Sequence, residues 1–169
     1  MKTRHSLAAA AALLGLATAG AAQAATANRV WVSGHGVDEA GCGAPTAPCR
    51  SLQYAHDNAV SAGGEIDILD PAGYGAITIT KALSIVNDGV GTAGVQTTSG
   101  AAITITAGAN DAVYLRGLNI DGVQEAGNSG VQLNRAGSLT VLDCVLRHFS
   151  QYGIGLFPTS GTEIGRAHV

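Results

Sequence analysis

The stretch "AITIT" occurs twice, at Ala76–Thr80 and at Ala102–Thr106, each time alternating apolar residues with threonine. A period of two places Ile77 and Ile79, like Ile103 and Ile105, on one face of a short strand whose other face is polar. The same spacing recurs at Ile66/Ile68, Leu83/Ile85, Val113/Leu115, Leu118/Ile120, Val131/Leu133, Leu139/Val141 and Ile154/Leu156. Between the pairs stand turn-forming runs: "DPAGYG" (Asp70–Gly75), "NDGVG" (Asn87–Gly91) and "DG" (Asp121-Gly122). Short, evenly spread strands without helices between them exclude a doubly wound α/β sheet.

A longer period runs through the pairs. Leu118 and Leu139 are 21 residues apart (139 − 118), and Val131 and Ile154 are 23 apart (154 − 131). Repeats of about 20–25 residues that carry several short strands each are the mark of a solenoid, where every strand stacks on the one a coil earlier. The two AITIT copies are then strands on different rungs of one ladder. Their separation of 26 (102 − 76) calls for an insertion around Gly91–Gly100 to keep them aligned. A β-sandwich is the rival fold, but it favours longer strands and an aromatic core, and aromatics are only 4% of this chain. A leucine-rich repeat lacks its fixed Leu/Asn pattern here. Before the repeats lie a strand at Arg29–Gly34 ("RVWVSG") and one helix signal, "SLQYAHDNAVSAGG" (Ser51–Gly64). Ser51 serves as N-cap, Leu52, Ala55, Ala59 and Val60 recur at helical spacing, and Gly63-Gly64 ends the run, predicting a capping helix over 51–62.

The two ends read differently. Lys2 and Arg4 precede an uncharged Ala/Leu run, Ser6–Gly20, and Ala22-Gln23-Ala24 offers small residues for cleavage between Ala24 and Ala25. This predicts a Sec-type signal peptide over 1–24 and a secreted, periplasmic or cell-surface protein. The run is short for a membrane span, and a transmembrane anchor or buried helix is the alternative. The last residues, "EIGRAHV" (Glu163–Val169), resemble the conceptual translation of a sequencing adapter. They are expected to be a non-native tail, an ordinary polar terminus being the alternative. Between 25 and 162 the balance is 6 basic against 11 acidic residues, about −5, which argues against nucleic acid as a partner. The expected organisation is a strand and cysteine loop over 25–50, the helix over 51–62 and incomplete coils over 63–162.

Cys42 and Cys49 sit seven residues apart in a Gly/Pro loop, "GCGAPTAPCR", and in an exported chain are expected to form a disulfide. A zinc site would need further ligands at suitable spacing, and none stands nearby. Cys144 is left over, either as a buried thiol or with a partner elsewhere.

The runs "GGEIDILDPAGYGAITITKALSIVNDGVG" (Gly63–Gly91) and "LRGLNIDG" (Leu115–Gly122) resemble bacterial exported repeat proteins of the pectate-lyase-like superfamily. The resemblance extends over nearly all of Arg29–Pro158. It implies an all-β fold, a right-handed parallel β-helix (solenoid) with an N-terminal amphipathic capping helix. It also implies that further coils follow, making this an N-terminal fragment. Members include polysaccharide lyases, glycoside hydrolases, adhesins and tail spikes, so fold does not carry function. Lyase relatives use calcium-binding carboxylates and a basic residue on one outer strand face, and no motif here matches them.

The candidate chemical residues have plain readings. Asp70, Asp88 and Asp121 precede Pro71, Gly89 and Gly122, contexts in which aspartate caps its own turn. Asp143 reads as strand polarity. Arg116 and the pair Arg147-His148 read as solvated turn charges; the alternative is a basic group that neutralises an acidic sugar or acts as a base. His35 and His56 are expected on a loop and on the helix surface, without partners at triad or metal spacing. Trp31, Tyr74, Tyr114 and Tyr152 are scattered; Tyr74 and Tyr152 are candidates to face a groove, with isolated packing as the alternative. No phosphate-loop lysine accompanies the Gly-rich pieces. The expectation is therefore no catalytic, metal or cofactor-binding residue, no cofactor and no membrane span in the mature part. The expected function is a non-catalytic binding or surface-display scaffold for an extracellular polysaccharide or cell-surface ligand. The alternative is a polysaccharide lyase or glycoside hydrolase whose catalytic coils lie outside this sequence.

Overall fold

The computed structural model describes residues 26–158 and the backbone of Ala167–His168. The expected signal peptide, the Ala24/Ala25 cleavage site and most of the 163–169 tail lie outside the described residues. The described residues form fourteen strands: β1 (Ala27–Val32), β2 (Val60–Ile68), β3 (Ala72–Gly73), β4 (Ile77–Ile79), β5 (Leu83–Val86), β6 (Ala93–Gln96), β7 (Ala101–Thr106), β8 (Ala112–Arg116), β9 (Leu118–Asp121), β10 (Gly127–Arg135), β11 (Ser138–Leu142), β12 (Val145–Arg147), β13 (Phe149–Leu156) and β14 (Ala167–His168). They make three sheets in which every pairing is parallel: a first sheet β1-β2-β5-β8-β11-β14, a second β3-β6-β9-β12 and a third β4-β7-β10-β13. From β2 onward the chain visits the three sheets in turn, which is a parallel β-solenoid.

The core follows from the alternation. Val30, Ile66, Ile85, Leu115 and Val141 stack in one column of the first sheet, and Ile77, Ile103, Val131 and Ile154 in one column of the third. All of these but Ile154, which is partly buried against them, join Val95, Leu118 and Ile120 of the second sheet in one buried cluster. The two AITIT copies are direct neighbours, Ile77 on Ile103 and Ile79 on Ile105. Val131 stacks on Ile154, and Leu133 on Leu156, as the 23-residue spacing predicts.

The 21-residue pairing is corrected. Leu139 stacks on Val113, and Leu118 lies beside Cys144, whose Sγ accepts its N–H at 3.4 Å across 26 residues. The 26-residue AITIT spacing is thus an ordinary rung length and needs no insertion. Rung length varies because both the turns and the strands do, the strands running from two residues in β3 to nine in β2 and β10.

The helix is shorter than expected. Leu52–Tyr54 is α-helical (α1) and a π-helical stretch continues it over Ala55–Ala59; Val60 already belongs to β2. Ser51 caps it as predicted, its Oγ accepting from Tyr54 N at 3.2 Å, and is itself fixed by Asp38, which accepts from Ser51 Oγ at 2.6 Å. At the other end Lys81 Nζ donates to the carbonyls of His56 (2.6 Å) and Val60 (2.7 Å), replacing partners the helix lacks.

Between the first and second sheets the chain turns tightly. Asn87 is buried and donates to the carbonyls of Gly91 (2.9 Å) and Gly117 (2.8 Å). Gly117 has φ +70, and a Cβ there would lie 2.4 Å from the Asn87 carbonyl oxygen, so only glycine fits.

Candidate functional site

The second sheet is the narrowest, and its outer face gathers most of the polar residues singled out above. Alternation turns Leu118 and Ile120 inward, leaving Asn119 and Asp121 on the outer side of β9. Register carries that face across the rungs: Gly73, Gly94, Asn119 and Val145 form one column, and Gln96, Asp121 and Arg147 the next. Two glycines at the start of the first column leave a shallow depression of about 260 Å3, lined by Pro71, Gly73, Thr92, Gly94 and Gln96.

A charged cluster stands at each end of these short strands. Where the chain leaves the sheet, Asp121 is 8% exposed. Its Oδ1 accepts from Val123 N at 2.9 Å and from His148 Nδ1 at 3.1 Å; its Oδ2 accepts from Arg147 Nε at 2.9 Å. The Val123 N–H, then the Arg147 guanidinium, hold the carboxyl below the usual aspartate range. A carboxylate can only accept, so Nδ1 of His148 is the donor and, in the neutral ring, Nε2 carries the free lone pair. The turn reading of Asp121 holds, since Val123 is two residues on, but the side chain also joins two coils.

The backbone beside it is unusual. Val123, Gln124 and Glu125 have φ of 43°, 56° and 63°, and His148 has φ 56°. Three consecutive left-handed residues, closed by Ala126 N donating to Val123 O at 3.2 Å, make one turn of the hand that costs each L-residue about 1–2 kcal/mol. Strain of this kind collects at functional sites and is held by its surroundings.

Where the chain enters the sheet, Arg116 lies between two carboxylates, Asp88 (3.0 Å) and Asp143 (3.6 Å), all three exposed. Asp143, with φ 53°, occupies the turn position that Gly117 fills one rung earlier. Six of the residues singled out in the sequence therefore form two clusters flanking one strip. Arg147 lies 26 residues after Asp121, the same step as between the AITIT copies, and that spacing was the signal that would have paired them.

The remaining candidates serve the fold. Asp70 is not a simple turn cap: it accepts from Ser33 Oγ (2.6 Å), Gly34 N (2.7 Å) and Tyr74 OH (2.6 Å), tying the ends of β1 and β2. Burial alone would raise its carboxyl, but these three donors bring it below the usual range. Tyr74 is buried rather than groove-facing, and burial followed by the hydrogen bond to Asp70 pushes its phenol upward. His56 is buried, not on the helix surface. Trp31 lies under the Arg29 guanidinium, 5.5 Å from the ring centroid, while Arg29 pairs with Asp67 and Glu65. Tyr114 shares that outer face of the first sheet, and Tyr152 packs edge-on against Phe157 with centroids 5.6 Å apart. His35 is exposed in its loop.

Cys42 and Cys49 are joined, with Cα atoms 5.0 Å apart. Cys144 is free and half-buried, its thiol raised by burial. Among the described residues no cluster of three metal-ligating side chains occurs, and no helix is long and apolar enough to cross a membrane. No protein-family model matches the chain, and neither a curated protein nor a solved structure matches it.

Proposed function

We propose that this chain is an exported β-solenoid that binds a polysaccharide along the outer face of its second sheet, as a binding or display scaffold. The carrying observation is the strip itself: the column Gly73, Gly94, Asn119 and Val145, floored by glycine at its start, runs between Asp88–Arg116–Asp143 and Asp121–Arg147–His148. Guanidinium and amide groups on a rigid, regularly spaced surface suit a repeating hydroxylated ligand, because polar groups set by strands need little reordering on binding. A binding role fits better than hydrolysis. Glycoside hydrolysis needs two carboxyls free to face a sugar about 5–10 Å apart. Here both oxygens of Asp121 are engaged, and Asp88 and Asp143 share Arg116. The disulfide is compatible with a periplasmic or extracellular setting, and the signal-like residues 1–24 supply the route.

Affinity electrophoresis of the exported protein through gels containing neutral or acidic polysaccharides tests this. At least one polymer should retard the protein. Arg147→Ala or Asn119→Ala should weaken that retardation, while Thr104→Ala, on the third sheet, leaves it unchanged. Free migration in every polymer, or equal retardation of all variants, would remove the proposal. Release of sugar fragments that depends on His148 would replace it with an enzyme.

A further inference from the structure

One short stretch closes the front of all three sheets. Cys49 N donates to Trp31 O at 3.0 Å and Cys49 O accepts from Ser33 N at 2.9 Å, on the edge of β1 that faces away from β2. Arg50 Nη1 donates to Gly73 O at 2.9 Å and Leu52 N to Tyr74 O at 3.3 Å, beside β3. On β4, Gln53 Oε1 accepts from Thr78 N at 2.7 Å and His56 Nε2 from Thr80 N at 3.2 Å. Residues 49–56 thus act as a rung made of helix and side chains. Asp38 fixes that rung, accepting from the amides of Arg50 (2.7 Å) and Ser51 (3.0 Å).

The turn 39–48 lies against this rung and is held differently. Gly43 O accepts from Trp31 N at 2.9 Å, and Gly43 sits so close to Val30 and Ala59 that an added Cβ would lie 3.2 and 3.4 Å from their side chains. From Gly34 to Pro48, Gly43 is the only buried residue, so no buried apolar side chain anchors the turn. Its covalent tie to the core is the bond from the half-buried Cys42 to the fully buried Cys49. Gly41 and Gly43, with φ of 90° and 122°, flank Cys42 and give the turn a hinge on either side of that bond. Segments with few buried contacts open locally with ease, so the cross-link decides whether this turn stays down.

We propose that Cys42–Cys49 is a redox latch on the front end of the solenoid. The Cys42 side lines a surface cavity of about 210 Å3 with His35, Glu39 and Thr46, which gives a small dithiol a way in. One thiolate of the dithiol attacks Sγ of Cys42, the S–S bond breaks, and Cys49 leaves and takes up a proton. The second sulfur of the dithiol then displaces Cys42, so the reductant departs as a disulfide and the protein keeps two thiols. The turn 39–48 swings on its glycines away from Val30 and Ala59 and frees the Trp31 N–H. Residues 49–56, tied down by Asp38, keep their bonds to Ser33, Gly73, Thr78 and Thr80. The front edge of β1 is thereby opened and closed without unfolding the coils, whatever the second sheet binds.

Amide exchange followed by NMR on the full exported chain, oxidised and then treated with dithiothreitol, tests this. On reduction the Trp31 amide should exchange at least about tenfold faster, while those of Ser33, Thr78 and Thr80 keep their rates. Reoxidation should restore the slow Trp31 amide, and Cys42→Ser should match the reduced protein. A Trp31 amide that stays protected once mass spectrometry shows both thiols free would overturn the latch. So would a disulfide that dithiothreitol cannot reduce in the folded chain. Equal acceleration at Ser33, Thr78 and Thr80 would also overturn it, because the disulfide would then support the whole front rung instead of one turn.

Discussion

Nε2 of His56 accepts the Thr80 N–H at 3.2 Å, which fixes the ring's tautomer and makes Nδ1 the donor to Asp57 Oδ1 at 2.6 Å. A side chain that sequence periodicity places on the helix surface thereby ends a β-sheet. Buried at 2% exposure, it cannot be removed without leaving a cavity and an unpaired strand amide. His56→Ala should cost about 2–4 kcal/mol. Gln53→Ala, at a half-buried site, should cost about 1 kcal/mol. Urea unfolding gives both values. Equal, small losses would show that the β4 edge needs no closing.

Acid should weaken the fold through Asp70. Its carboxyl titrates below the usual range when folded and at the ordinary value, near 3.9, when unfolded. The stabilisation is then complete above about pH 4 and is lost as pH falls through the folded value. Asp121 is displaced in the same direction and contributes with the same sign. Asp70→Asn should flatten the decline in urea midpoint between about pH 5 and about pH 2. An unaltered slope would place the acid sensitivity elsewhere.

The strands were legible because alternation is local: every Ile/Leu/Val pair singled out, from Ile66/Ile68 to Ile154/Leu156, lies in a strand. β6, "AGVQ", and β12, "VLR", escaped because one is built of small residues and the other has a single inward-facing apolar side chain, Leu146. Stacking was only partly legible, since it depends on turn lengths that alternation does not record. Val131 on Ile154 came out, whereas Leu118 on Leu139 did not. The site suffered most. Asp121, Arg147 and His148 each look like ordinary turn residues until the rung offset of 26 puts them together. His56 and Tyr74 are polar groups buried for the sake of particular partners, Thr80 and Asp57 for the one and Asp70 for the other, which no periodicity announces.

The cysteines should behave as two classes. Cys42 and Cys49 should resist alkylation in native protein until reductant is added, and non-reducing peptide mapping should recover them linked. Replacing both with serine should cost about 2–3 kcal/mol, the loop-closure value for so short a loop. Cys144 should react slowly, because its thiol is half-buried and burial raises it away from the reactive thiolate. Rapid labelling at Cys144 would contradict its packing against Leu118.

Relief of the left-handed turn should be measurable. Valine at φ 43° is β-branched where only glycine is comfortable. Val123→Gly should raise stability by up to about 1 kcal/mol, after allowing for the extra freedom of glycine in the unfolded chain. If the strain positions Asp121 and its partners, the same variant should bind polysaccharide less tightly while being more stable. Loss of stability would show instead that the Val123 side chain holds the turn by packing.

The contrast between the ends of the third sheet leads to the last expectation. A strand inside a parallel sheet has both rows of backbone groups bonded, as β7 has between β4 and β10. β4 matches that condition through Gln53 and His56, whereas β13 has one row facing away from β10. Amide exchange in a dilute, monomeric sample should therefore be slow at Thr78, Thr80, Ile103 and Ile105. Alternate amides of Phe149–Leu156 should exchange near the rate of an unprotected chain. Slow exchange at those amides would mean that residues beyond Pro158 cover the outer edge of β13, whereas fast exchange at Thr78 and Thr80 would show that Gln53 and His56 do not close the β4 edge.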